Sequence, residues 1–274
     1  MIKKILIPLL LLCSVTFSQW ANEKPILGQQ IDWGKAHGLV GFWLMNEDAG
    51  NTVQDLSGNG ITGSLVNTAQ FAAAKYGPGV LLDGDSDYID FGDPAALELS
   101  GDLSYVVMVK PNSISGLRGI MGKIEYSDNT EKDVGISQYN DAFWWQLGSE
   151  DPILARLIST TDAVIGQWYQ IIGTRQGTVA KLYVNGALED TDTVTGDINP
   201  AHDFVIGSYK SGIGYYFSGV VDYAMVYNRA LSAREIAELY ANPFGMFEPV
   251  FPVSWFGGIG APPAGGGQFI MISN

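Results

Sequence analysis

From residue 38 to residue 227 the chain switches every few residues between a short apolar run and a cluster of turn formers. Runs rich in Val, Ile, Leu, Tyr, Phe and Trp occur at 61–66, 79–83, 88–91, 103–110, 119–124, 134–138, 143–147, 153–158, 167–174, 181–184 with a hairpin partner, 204–208 and 217–227. Each reads as one strand. LVGFWLM, after Gly38, opens the folded body as a buried strand with Trp43 inside, and NEDAGNTVQDLSGNG (46–60) reads as a loop holding at most a short extended piece. Strands spaced in this way predict two packed antiparallel sheets rather than an α/β fold.

Local patterns agree. Leu103, Tyr105, Val107 and Val109 alternate with Ser104, Val106, Met108 and Lys110, which gives one strongly apolar face and one mixed face. Asn185-Gly186, within LYVNGALED, suits the two positive φ angles of a type I′ hairpin turn. Helical character arrives late: Ser232 and Glu235 form an S-x-x-E capping box, Ile236, Leu239 and Tyr240 share a face, and Pro243 stops the helix, which predicts one helix over 233–241. The fold class expected is all-β: a two-sheet antiparallel sandwich with one short C-terminal helix.

Composition bounds the rest. Apolar residues at 46% and charged residues at 16% fit a packed domain, not a disordered chain. A net charge of −14 with no Lys/Arg cluster excludes nucleic acid as a partner. The acid excess fits either solubility or a hard cation such as Ca²⁺. Lys3 and Lys4, an apolar stretch at 5–13 and small residues at 16–18 read as an export signal over 1–18, well short of the ~20 residues that span a membrane. Its removal takes away Cys13, the only cysteine, so disulfides cannot stabilise the secreted chain. The mature chain then divides into a lead-in over 19–37, a folded body over 38–242 and a Pro/Gly/aromatic tail over 243–274. Pro243, Pro249 and Pro252 forbid a regular central strand in that tail, which either packs on the sandwich or docks on a partner through Phe244, Phe247, Phe251 and Trp255.

Catalytic signatures are missing: the sequence has no G-x-S-x-G, H-E-x-x-H or P-loop. Glu189, Asp190 and Asp192 follow a hairpin turn and read as a solvated edge; His37 and His202 stand alone in turn-rich sequence and read as surface residues. Rings are the better candidates for function. Phe143, Trp144 and Trp145 cannot all point inwards on a strand, and Tyr215-Tyr216 poses the same problem. Trp144, Trp145, Tyr215 and Tyr216 are therefore candidate stacking platforms for a sugar, the alternative being a second layer of core. Asp55 and Asn59, in DLSGNG, make an oxygen-rich loop with Glu47 eight residues upstream of Asp55; Asp222 lies in an apolar strand, where a carboxylate needs a metal, an Arg or backbone donors.

Five segments in order, GLVGFWLMNEDAGNTVQDLSGNGITG (38–63), GVLLDGDSDYIDFG (79–92), LSYVVMVKP (103–111), GQWYQIIGTRQGTVAKLYVNGAL (166–188) and SGVVDYAMVYNRALSAREIAELY (218–240), resemble the laminin-G-like jelly roll of the concanavalin A-like lectin/glucanase group. That fold hosts lectins, adhesion modules and some hydrolases. The resemblance implies that Asp55 and Asp222 approach one structural Ca²⁺, with Asn59 and Glu47 as further ligands. The competing reading is an Asx-turn at Asp55, with Asp222 on Arg229 or a backbone donor. The E-x-D-x-x-E strand of laminarinase-type members is absent. The expectation is a secreted, non-catalytic module that binds glycan or a cell- or particle-surface protein. The runner-up is an adhesion component docking through its tail, and the third reading is a glycan hydrolase.

Overall fold

A ten-residue strand, β16 (Ser218–Tyr227), organises one of the two sheets. Along one side it pairs with β7 (Leu103–Pro111); along the other it pairs first with β5 (Pro78–Asp83) and then with β1 (Leu39–Trp43), all antiparallel. Beyond β7 the sheet continues through β12 (Tyr169–Gln176), β13 (Val179–Val184) and β14 (Ala187–Thr193), and β4 (Gln70–Ala73) lies outside β5. The second sheet runs β11 (Ala155–Ile158), β10 (Ala142–Leu147), β9 (Val134–Tyr139), β8 (Leu117–Lys123), β15 (Val205–Ile206), β6 (Tyr88–Asp90), β3 (Gly63–Val66) and β2 (Thr52–Val53). This computed structural model describes residues 24–25, 31–32, 34, 36–124, 133–148, 154–194, 196, 198, 202–209 and 214–247. The expected export signal and the tail from residue 248, with Phe251 and Trp255, lie outside the described residues.

The two sheets form a jelly-roll-like sandwich, as expected. Only β4 has no counterpart in the sequence reading: it is an edge strand, largely exposed, so its QFAA carries no apolar alternation. The Asn185-Gly186 turn has φ of 51° and 80°, the left-handed pair that a type I′ hairpin needs.

Between the sheets lies the main core. Leu103, Tyr105, Val107 and Val109 of β7 face Phe143 and Trp145 of β10 in one buried cluster that also holds Trp43 and Phe204. Trp43 Nε1 donates to the Ile61 carbonyl at 2.7 Å, and Trp145 Nε1 donates to the Thr174 carbonyl at 3.2 Å, so neither indole leaves a buried donor unpaired. A Cβ on Gly173 would sit 2.1 Å from the Trp145 ring, which is why that position of β12 has no side chain.

A second core covers the outer face of the β16 sheet. Val106, Met108, Ile172, Tyr223, Met225 and Tyr227 are buried there beneath Leu231, Phe244, Met246 and Ile236, the last from the single described α-helix, α1 (Ala233–Ala241). The mixed face expected on β7 is therefore buried too. Its one small polar residue, Ser104, is satisfied by donating to the Arg229 carbonyl and accepting from Leu231 N–H, each at 2.9 Å. Both bonds of the capping box form at the helix start. Tyr240 departs from the expected apolar face: it rests against Gly186 of the hairpin turn and stays 41% exposed. The first tail residues pack, with Phe244 buried and Phe247 half-buried against Phe42 at a ring separation of 5.8 Å.

Candidate functional site

The outer face of the second sheet is different: it presents rings to solvent. Along β10 the inward side chains are Phe143 and Trp145, so Trp144 and Gln146 turn outwards. The β9–β10 hairpin pairs Tyr139 with Ala142, which sets Tyr139 diagonally beside Trp144 on the same face. Their rings lie 4.9 Å apart at an interplanar angle of 31°. From β11, Ile158 stands opposite Trp144 and Arg156 opposite Gln146. The Arg156 guanidinium sits over the Trp144 ring, 4.6 Å from its centre. Tyr139 and Ile158 are each 45% exposed, so the half-buried Trp144 lies between two open apolar shoulders.

The chain that follows β15 folds over the neighbouring part of this face. Tyr209 is buried and donates its hydroxyl to Gln146 Oε1 at 3.0 Å. Tyr215 packs its ring edge-on against Tyr209 at 5.7 Å, accepts from Gly119 N–H through its carbonyl at 2.8 Å and remains 41% exposed. Gly119 is obligatory here, since a Cβ would meet the Ser208–Tyr209 backbone at 2.2 Å.

Of the four rings expected to bind ligand, Trp144 and Tyr215 are accessible. Trp145 is not. It is fully buried between the sheets, edge-on to Tyr105 at 5.5 Å, because strand alternation sends it inwards once Trp144 faces out. Tyr216 is half-buried beside Tyr88, 6.2 Å away. Tyr139 and Arg156 were not anticipated; the signal for Tyr139 was the tight Asn140-Asp141 turn, which fixes the register of the hairpin.

Asp55 and Asp222 are held by different partners. Asp55 Oδ1 accepts from Phe42 N–H at 3.1 Å and Ser57 N–H at 2.8 Å; Oδ2 accepts from Ser57 Oγ at 2.8 Å and Ile61 N–H at 3.2 Å. Asn59 belongs to the same loop and donates to the Val40 carbonyl at 2.9 Å. Asp222 is fully buried elsewhere. Its Oδ2 accepts from Lys75 N–H at 2.6 Å and Tyr76 N–H at 2.9 Å, and its Oδ1 lies 3.1 Å from Lys24 Nζ. The Lys24 ammonium also donates to the carbonyls of Asp222, at 2.8 Å, and of Pro78. Glu47, whose Oε1 accepts from Gln54 N–H at 2.7 Å, adds to the negative field around Lys24. Burial pushes Asp222 up and Lys24 down, each opposed by its partner's charge.

A shared Ca²⁺ on Asp55 and Asp222 does not fit this geometry. Two donors on each Asp55 oxygen use its lone pairs, and the cationic neighbour of Asp222 is a lysine rather than Arg229. Among the described residues no three His, Cys, Asp or Glu side chains gather into a metal-binding cluster. Glu189 and Asp190 also differ from the solvated edge expected. Glu189 accepts from both the N–H and the hydroxyl of Thr160 and Thr161, and Asp190 accepts from Ile158 N–H at 2.9 Å, so the two acids tie β14 to the β11 end of the other sheet. His202, expected to stand alone at the surface, lies 3.8 Å from the buried Asp133.

The family model described as "Concanavalin A-like lectin/glucanases superfamily" (Laminin_G_3) matches residues 83–237, more than half of the 274. The chain belongs to this superfamily. Solved members of the same architecture are distant. The binding domain of Paraclostridial Mosquitocidal Protein 1 superposes with a TM-score of 0.62 at 16% identity, covering 77% of this chain and 53% of that one. Domain 4 of AbnA, an extracellular GH43 arabinanase from Geobacillus stearothermophilus solved with arabinotriose, gives 0.59 at 19% identity, covering 74% of this chain and 98% of the domain. The botulinum neurotoxin serotype D binding domain gives 0.59 at 16%, covering 74% and 51%. The chain thus spans about half the length of the two toxin domains and nearly all of the arabinanase domain. At these identities the likeness is one of fold. No curated protein matches the sequence. Among the described residues no helix is long and apolar enough to cross a membrane.

Proposed function

We propose that this superfamily member is an exported, non-catalytic glycan-binding module whose ligand lies over Trp144 on the outer face of the second sheet. The observation that carries the reading is the exposed Tyr139–Trp144 pair, flanked by Ile158 and Arg156 on three adjacent strands. The exposed parts of Tyr139, Ile158 and the half-buried Trp144 offer apolar surface to the C–H side of a sugar, while neighbouring polar groups meet its hydroxyls. The arabinotriose complex of the arabinanase domain supports the choice of ligand class for this fold. Export rests on the basic and apolar stretches over 1–18, with maturation expected before Gln19. Docking through the tail is the weaker reading, because Phe244 and Phe247 pack on the second core. Calcium forms no part of the proposal.

The test is affinity electrophoresis of the full chain through gels cast with plant, bacterial and animal polysaccharides. At least one polymer retards the native protein, and Trp144→Ala weakens that retention about tenfold or more, as expected for truncating a central aromatic contact. Its stability falls by less than about 1 kcal/mol, whereas Trp145→Ala costs about 3–5 kcal/mol. Unchanged retention in folded Trp144→Ala overturns the placement, and no retention on any polymer overturns the ligand class.

A further inference from the structure

The chain has five arginines. Four of them donate hydrogen bonds: Arg118 to the Ser115 and Tyr216 carbonyls, Arg175 to the Ser100 carbonyl, Arg229 to Glu235 and Arg234 to Glu238. Arg156 differs. Its Nε is buried and has no hydrogen-bond partner, and among the described residues no carboxylate pairs with it. The acids on the adjoining β14 edge are already engaged, Glu189 by Thr160 and Thr161, and Asp190 by the Ile158 and Thr191 amides. In a chain with 29 acidic and 15 basic residues, an arginine left without an acid beside it is conspicuous. Its guanidinium sits over the Trp144 ring, 4.6 Å from its centre, and its terminal nitrogens donate to no described residue.

We propose that Arg156 reads a carboxylate on the glycan, so that the ligand is a largely neutral polysaccharide carrying isolated uronic-acid groups. This rests on the glycan reading above and specifies its substrate class. The two terminal nitrogens of a guanidinium present a planar fork of N–H donors that matches a carboxylate in a bidentate pair, and on Arg156 no hydrogen bond among the described residues engages them. The isolated character follows from charge. One free arginine neutralises one carboxylate, while the net −14 of the chain repels the next charges along a polyuronate over roughly 8 Å at physiological salt. The sugar ring adjoining the acid then lies against the exposed parts of Tyr139 and Ile158, beside Trp144.

The experiment compares a xylan bearing glucuronic-acid branches with the same polymer after its carboxylates have been reduced to alcohols, using the full chain in calorimetry and affinity electrophoresis. The native protein binds the acidic polymer about tenfold tighter than the reduced one, the value of one charge-assisted contact, and the preference shrinks as NaCl is added. Arg156→Gln loses that preference and keeps its affinity for the reduced polymer; Arg156→Lys, which keeps the charge without the fork, recovers part of it. Trp144→Ala weakens binding to both polymers. Equal binding of the two polymers by the native protein, unaltered in Arg156→Gln, overturns the carboxylate inference and leaves the ring platform standing. Loss of both polymers in folded Arg156→Gln also overturns it, because the residue then merely positions Trp144. Tighter binding to a polyuronate or a sulfated glycan overturns the isolated-carboxylate class. If neither xylan binds and a neutral glycan is retained through Trp144, the uronic-acid inference fails alone; if no glycan is retained, both readings fail.

Discussion

Replacing Lys24 by Met tests how the lead-in segment is attached to the sandwich. Met keeps the length and the apolar stem of lysine, so the change removes the ammonium with little loss of packing. The ammonium is deeply buried and touches Asp222 Oδ1 at 3.1 Å and the Asp222 carbonyl at 2.8 Å, with the Pro78 carbonyl as its third partner. Without it, a fully buried carboxylate keeps only the two backbone donors of Lys75 and Tyr76. Breaking a buried pair from one side costs about 3–5 kcal/mol, and the surviving donors place this case near 3. For a domain of this size that corresponds to a melting temperature lower by about 6–12 °C. The sign with pH is fixed by Asp222, whose folded pKa burial holds above its ordinary value of 3.8 against the pull of Lys24 and of the backbone donors. A group raised on folding stabilises below its unfolded pKa, and that contribution is lost as pH rises through the folded one. Removing Lys24 raises the folded pKa further, so the deficit of Lys24→Met is full at neutral pH and shrinks as the solution is acidified towards pH 4. In Lys24→Met/Asp222→Asn the Asn oxygen still accepts from the two amides without a charge, and the deficit falls to about 1 kcal/mol. Chemical denaturation followed by near-UV circular dichroism measures all three chains. A single variant within about 0.5 kcal/mol of native, or a double variant no better than the single, refutes the reasoning.

Two further outcomes follow from the acids. Asp55→Ala, which strands the Phe42, Ser57 and Ile61 amides, lowers stability by about 2–3 kcal/mol to the same extent in Ca²⁺ and in chelator. A Ca²⁺-dependent rise in the native melting temperature that either Asp55→Ala or Asp222→Ala abolishes reverses this assignment. Glu235, held down to about 2 first by the hydrogen bond from Arg229 and then, against burial, by the Ser232 cap, stabilises above its unfolded pKa of 4.5; that contribution is lost as pH falls from there to about 2. It is partly exposed and so worth only about 1 kcal/mol, and Glu235→Gln flattens the acid limb of the stability curve in that window; an unchanged limb refutes the assignment.

The fold was legible because its signals are local. Turn chemistry at Asn185-Gly186, the Ser232–Glu235 cap and the strand alternation of β7 each depend on neighbours in sequence, and each holds. What escaped depends on partners far along the chain. Lys24 lies 198 residues from Asp222, and nothing around a lysine in a polar lead-in announces a buried anion waiting for it. The mixed face of β7 gave no sign of its cover, because helix α1 and Phe244, which bury it, arrive more than a hundred residues later. The run Phe143-Trp144-Trp145 contained the answer only up to a choice of phase: alternation demanded that one tryptophan face out, and the structure makes it Trp144, beside the cross-strand neighbours Tyr139 and Arg156.

The two outer faces of the sandwich are covered to different extents. On the β16 sheet the apolar outer residues are covered by the chain's own helix, the post-helix segment and Ile31 and Ala36 of the lead-in, so those rings serve stability. On the other sheet the described residues after β15 cover the part near Gly119 and Gln146, and Tyr139, Trp144 and Ile158 stay partly open. Leaving them open has a cost, because three uncovered apolar side chains on a sheet invite association. A fold that seals one face with a helix and the strand edge with Glu189 and Asp190 could have used the same devices over Trp144. Instead it places a guanidinium there with no carboxylate among the described residues to answer it. Rings left uncovered beside an unanswered charge are what a ligand surface requires and what a purely structural face would eliminate.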